Sequence, residues 1–121
     1  RGHPCALRVG RFIMKGVLLQ FYVHENRRHG HRLLYEWLLE RAKQMGVHGG
    51  SAFRAIAGYG HHGVLHEERF FELAGELTVK VEFAVSDADA QRLIDTVHAE
   101  GIGAFYVRMP MEFGTIDGST E

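Results

Sequence analysis

The sequence predicts an α+β fold of the ferredoxin-like kind, a βαββαβ chain with one four-stranded antiparallel sheet and two helices on one face. Three observations predict it. Residues 77–85 alternate almost ideally, Leu77, Val79, Val81, Phe83 and Val85 against Thr78, Lys80, Glu82 and Ala84, the period of a strand with one buried face. Residues 17–23 place Val17, Leu19, Phe21 and Val23 on one parity. Two further segments, 31–45 and 86–100, carry apolar residues at helical spacing, and each runs into a glycine. Right-handed crossovers then put both helices on the same side of the sheet.

In chain order, the first strand has a second face, Leu18, Gln20, Tyr22 and His24, that is only half polar. Residues 25–30 (ENRRHG) form a polar connection in which Asn26 is a candidate helix cap. The first helix buries Leu33, Leu34, Trp37, Leu38, Ala42 and Met45, and turns Arg32, Glu36, Glu40, Arg41 and Lys43 outward. Gly46 stands where a left-handed C′ residue is expected. Residues 51–57 form a second, alanine-rich strand, followed by a loop over 58–66. Residues 67–74 have the pattern for about two helical turns, burying Phe70, Phe71 and Leu73. After the strand at 77–85, Ser86 caps the second long helix, with Asp89 at N3 as a weak capping box. Its stripe is Ala90, Leu93, Ile94 and Val97, and Gly101 ends it. A final strand over 104–109 stops before Pro110.

At 121 residues the chain is long enough for a single core. Fourteen basic against fifteen acidic residues give no bias toward nucleic acid or an anionic membrane. No apolar run reaches the ~20 residues of a membrane span. One cysteine, Cys5, excludes an intrachain disulfide and suits a reducing, cytoplasmic setting. Residues 1–13 are expected to be a poorly ordered leader or non-native extension, because Met14-Lys15 before a clean strand resembles a start. The domain is then 14–113, with a polar, flexible tail over 114–121.

The helices leave one sheet face uncovered. Leu18, Tyr22 and Ile56 are assigned to it, beside Gln20, Arg54, Lys80 and Glu82. An amphipathic bare face of this kind favours packing against other subunits. Tyr22 is the expected interface residue, since its hydroxyl can find a polar partner there.

The runs His29-Gly30-His31-Arg32-Leu33-Leu34-Tyr35-Glu36 and, from Ala42 to Gly60, AKQMGVHGGSAFRAIAGYG, resemble an uncharacterised PII-like family, a domain of unknown function related to nitrogen-regulatory PII and CutA-type proteins. The likeness spans about residues 15–110. It implies a PII-like homotrimer in which a small effector such as an adenine nucleotide binds between subunits, beside a loop joining the second and third strands. That loop would be 58–66 here. The chain departs from the family at Ala55, where members often have glycine. The glycine-rich nucleotide loop of PII proteins is reduced to Gly101-Ile102-Gly103, and no tyrosine matches the modified one. Neither ATP binding nor uridylylation is therefore carried over residue by residue.

The candidate ligand set is Arg54, Gly58, Tyr59, Gly60, His61, His62, Gly63 and Arg108. Glycine frees backbone N–H groups to form anion nests, and an arginine supplies a bidentate fork. A plain hairpin tip would contain the same glycines, and it is the resemblance that tilts the reading toward a small anionic ligand. No βαβ unit surrounds these glycines, so they do not read as a dinucleotide fingerprint. His61, His62 and His66 are the alternative, a CutA-like divalent-metal site, although adjacent histidines in an extended loop diverge. His24, Glu25 and His29 form a second histidine group. No nucleophile and base pair stands out, so a binding protein is expected, not an enzyme. A purely structural trimer docking on a partner such as a membrane transporter is the third class.

Overall fold

The computed structural model describes residues 5–8, 11–60, 69–70 and 77–118. The core strand β2 (Arg11–His24) lies between β8 (Thr78–Val85) and β9 (Phe105–Ile116), both antiparallel to it. Strand β5 (Ser51–Arg54) pairs with the free side of β8, giving the sheet order β5-β8-β2-β9. A further strand, β1 (Cys5–Arg8), pairs with residues 11–14 of β2. Helices α1 (Leu34–Gln44) and α2 (Asp87–Ala99) cover one face. Two short ribbons complete the description, β3 (Arg28–His29) with β4 (Arg32–Leu33), and β6 (Tyr59–Gly60) with β7 (Arg69–Phe70). The ferredoxin-like α+β arrangement is the one that the periodicity predicts.

The two alternating strands build the core together. Register pairs Val17 with Val85, Leu19 with Phe83, Phe21 with Val81 and Val23 with Val79, and all eight are buried. Leu34, Leu38 and Ala42 of α1 and Ala90, Leu93 and Val97 of α2 close over them. Full burial of a side chain such as Leu19 or Phe83 contributes about 1.5–3 kcal/mol.

Both helices stop by the same device. Gly46 (φ +92°) donates to the Lys43 carbonyl and Val47 to that of Ala42. Gly101 (φ +75°) donates to His98 and Ile102 to Val97. These are Schellman motifs, and buried Val47 and Ile102 supply the apolar contact that accompanies them. Ser86 Oγ accepts from the Asp89 amide at 3.0 Å, so the expected cap is in place.

Several boundaries differ from the sequence reading. Asn26 caps no helix. The chain first makes the β3–β4 ribbon around Gly30 (φ +66°), and α1 begins only at Leu34, after a residue with no side-chain cap. The second strand ends at Arg54, not 57. Arg69–Phe70 form a ribbon rung within 67–74, where helix was expected; the rest of that segment lies outside the described residues. β9 runs through Pro110, which is paired with Val17. Among the described residues β9 pairs only with β2, so its other side is an edge, where a missing N–H is tolerated.

The expected domain limits of 14 and 113 both fall inside paired strands. The backbone of Gly114 lies against the Phe12 carbonyl so closely that a side chain there would collide with it. This packing fixes the far ends of β2 and β9 to one another. No helix among the described residues is long and apolar enough to cross a membrane.

Candidate functional site: the Arg54–Glu25 clasp

Arg54 is the last residue of β5, placed at an edge of the sheet where the chain departs over residues 55–76. Pairing with Val79 puts it on the helix-side parity, not on the bare face to which the alternation assigned it. Its Nε donates to Glu25 Oε1 at 2.8 Å. The Arg54 side chain is 65% exposed while that of Glu25 is 17% exposed, so the carboxylate is the fixed half of the pair. Among the described residues no other acceptor is seen on the guanidinium, and most of the side chain is exposed.

Glu25 is itself fixed from two directions. Its backbone amide donates to the Leu77 carbonyl at 2.8 Å, and its Oε2 accepts from the Leu77 amide at 3.4 Å. Beside it the Ala55 amide donates to Thr78 O at 2.8 Å. One carboxylate thus meets both the departing and the returning ends of the excursion. Sequence reasoning placed Glu25 with His24 and His29 in the second histidine group and missed this role. The only available signal was its position directly after a buried strand.

The other predicted residues are distributed as follows. Tyr59 is highly exposed, and β6 brings Tyr59 and Gly60 opposite Phe70 and Arg69. Gly58 has no left-handed φ, and a Cβ there would meet nothing within 4 Å. Among the described residues, nothing at that position demands glycine. Gly58, Gly60 and Gly63 do stand at the spacing of the dinucleotide pattern. The context excludes it, since β5 runs antiparallel to β8 and Gly60 lies on a strand rung, not at a helix start. His61, His62, Gly63 and His66 lie outside the described residues.

Arg108 sits on β9, at the opposite edge of the sheet, three strand spacings from β5 or about 14 Å. It makes three hydrogen bonds, donating through Nη1 to Gln91 Oε1 (2.8 Å) and through Nη2 to the carboxylate (2.8 Å) and carbonyl (3.2 Å) of Asp87. It therefore ties β9 to the start of α2. Within the chain Arg54 and Arg108 do not meet.

The second histidine group also separates. His29 Nε2 meets Glu100 Oε1 at 3.0 Å and its ring stands edge-on to Trp37 at 4.9 Å, while Glu25 belongs to Arg54. Trp37 also packs under the Arg41 guanidinium, in keeping with a packing role. Among the described residues no three histidine, cysteine, aspartate or glutamate side chains gather as a metal site.

The bare face carries a polar strip. Tyr22 OH donates to Gln20 Oε1 (3.3 Å), Gln20 Nε2 donates to Glu82 Oε1 (3.0 Å), and Lys80 Nζ meets the same carboxylate at 3.4 Å. The Tyr22 hydroxyl thus finds its partner within its own chain. Around this strip lie Leu18, Phe53, Phe105 and Met109, the last three prominently exposed.

A concave region that the sequence did not announce lies at the other end of the sheet. A groove of about 550 Å³ runs between Val47, His48, Ser86, Asp89 and Phe113, and two smaller clefts share His48 with it.

Comparison with known proteins bears on this geometry. The model of the DUF190 family, described as uncharacterized, matches residues 16–107. The chain belongs to the DUF190 family. The match spans the core strands, both helices and Arg54. A relative, the UPF0166 protein of Aquifex aeolicus (strain VF5), is 32% identical over 91 residues, 75% of this chain and 87% of that protein. Among solved structures, a Thermus thermophilus protein provisionally described as PII-like signaling superposes with a TM-score of 0.54 at 19% identity, over 86% of this chain and 92% of that one. At that identity the likeness establishes the fold of this DUF190 chain as PII-like.

Proposed function

We propose that this DUF190 protein is a PII-like regulator that acts by binding, not by catalysis, and that its ligand is a small anionic metabolite held by Arg54. The observation that carries the reading is the state of that arginine. A largely buried carboxylate fixes its Nε, while the arginine side chain as a whole stays 65% exposed at the base of the 55–76 excursion. A guanidinium held in this way is preorganised to receive a planar or tetrahedral oxyanion with little further ordering.

In this reading the protein works as a homotrimer in a reducing compartment. The exposed Phe53, Phe105 and Met109 pack against neighbouring subunits, and the ligand cleft is completed across a subunit boundary. Assembly offers the one route by which Arg54 and the β9 edge could contribute to a shared cleft, since they lie on opposite edges of one sheet. Adenine nucleotides are the first class to examine, because the likeness is to a PII-like fold. Ligand binding at Arg54 would alter the loop surface offered to a protein partner.

Calorimetry with ATP, ADP, AMP and cyclic dinucleotides at millimolar concentration tests this. The reading expects heat with at least one of them in the natural chain and none in Arg54→Ala. No heat and no thermal shift with any member would remove the nucleotide version. Retained binding in Arg54→Ala would remove the site.

A further inference from the structure

Glu25 does more than hold Arg54. Its two carboxylate oxygens face different parts of the chain, Oε1 toward Arg54 Nε at 2.8 Å and Oε2 toward the Leu77 amide at 3.4 Å. Arg54 precedes the excursion and Leu77 follows it. A carboxylate is planar and rigid, so whatever rotates one oxygen moves the other. The Glu25 side chain has little exposure to water that could substitute for a lost partner.

We propose that Glu25 is a coupling residue, transmitting the state of Arg54 to the returning end of the excursion at Leu77. Its regulatory use rests on the reading of Arg54 as the anion contact; the coupling itself does not. An oxyanion on the terminal nitrogens leaves the Nε–H with Glu25, but it draws on the same positive charge and sets a second anion beside the carboxylate, which weakens the Oε1 contact. The loosened carboxylate then holds the Leu77 amide less firmly. The signal reaches a residue that the ligand never touches, through a single side chain.

Amide hydrogen exchange, read by NMR on the full chain, tests this without any ligand. Arg54→Ala is expected to speed exchange at Leu77 by about 2- to 5-fold, the scale of a part-exposed ion pair. Glu25→Gln is the second variant, chosen because it keeps the size of the side chain. The amide replaces one of the two carboxylate oxygens by an NH2 donor, so it cannot accept from Arg54 and Leu77 on separate oxygens as Glu25 does. In the Glu25→Gln background, Arg54→Ala should therefore leave Leu77 exchange where Glu25→Gln alone puts it. This non-additivity would establish the coupling. An unchanged Leu77 amide in Arg54→Ala, or effects that simply add, would overturn it.

Inorganic pyrophosphate then serves as the anion probe. It should move Leu77 exchange in the natural chain toward the Arg54→Ala value, and have no effect in Arg54→Ala itself. A non-additive cycle with no response to pyrophosphate would leave the coupling standing and count against the anion reading alone.

Discussion

The backbone of Gly50 lies directly on the ring of Phe83, and a side chain at that position would have its Cβ 2.6 Å from the ring Cδ1. Phe83 is buried and opposite Leu19 in the sheet, so it cannot yield without disturbing the core. Leu39 closes the same point from the helix side. This contact seats the α1–β5 connection, and with it the strand that ends in Arg54.

Gly50→Ala should therefore destabilise the protein by about 1–3 kcal/mol, the usual scale of overpacking. Gly49, where an added Cβ meets nothing within 4 Å, is the control, and Gly49→Ala should change stability far less. Urea or thermal unfolding of the two variants checks the contrast. Equal losses would contradict the role assigned to the Phe83 contact.

Ser86→Ala removes the acceptor of the Asp89 amide and should cost about 1 kcal/mol. The measurement is again equilibrium unfolding. Anion binding at Arg54 should be unaffected, because Ser86 lies at the other end of β8 from the residue paired with Arg54.

The two arginines should separate functionally. Arg54→Ala is expected to abolish anion binding while stability falls by no more than about 1 kcal/mol, given how exposed that side chain is. Arg108→Ala, which removes three hydrogen bonds to Asp87 and Gln91, should act mainly on stability and on the attachment of β9 to α2. Calorimetry beside unfolding curves for both variants would show the split, and strong anion loss confined to Arg108→Ala would reverse the assignment.

The bare face gives a prediction about assembly. Met109 lies opposite Leu18 on that face and is exposed in the single chain. Met109→Glu should shift the mass seen by light scattering toward the monomer at micromolar concentration, with the fold retained by circular dichroism. A natural chain already monomeric under those conditions would exclude the trimer.

Much of this architecture was legible because the signal was local. The alternation at 17–23 and 77–85 needs only a sheet with one buried face, and Gly46 and Gly101 need only a helix that must stop. Asn26 misled because cap chemistry is local while the start of α1 is set by a tertiary packing demand. The β3–β4 ribbon sits beneath Trp37, and Leu34 is the first residue that reaches the core. Pro110 misled because a missing N–H matters only where a neighbour needs it, and edge position is not written in the chain. Arg54 was identified as a candidate, but its face and its partner were not. Parity slips by one residue wherever a weak strand such as β5 has its register set by its neighbour.

By itself the sequence determined the ferredoxin-like order of elements, the composition of the core, the helix stops and the family resemblance. These rest on periodicity and on backbone conformations that a few residue types select. Only the tertiary structure decided which charges meet. Glu25 and Arg54 are far apart in the chain, as are Arg108 and Asp87, and no spacing rule links them. Tertiary packing brings each pair within 2.8 Å and leaves one arginine largely exposed and the other mostly covered.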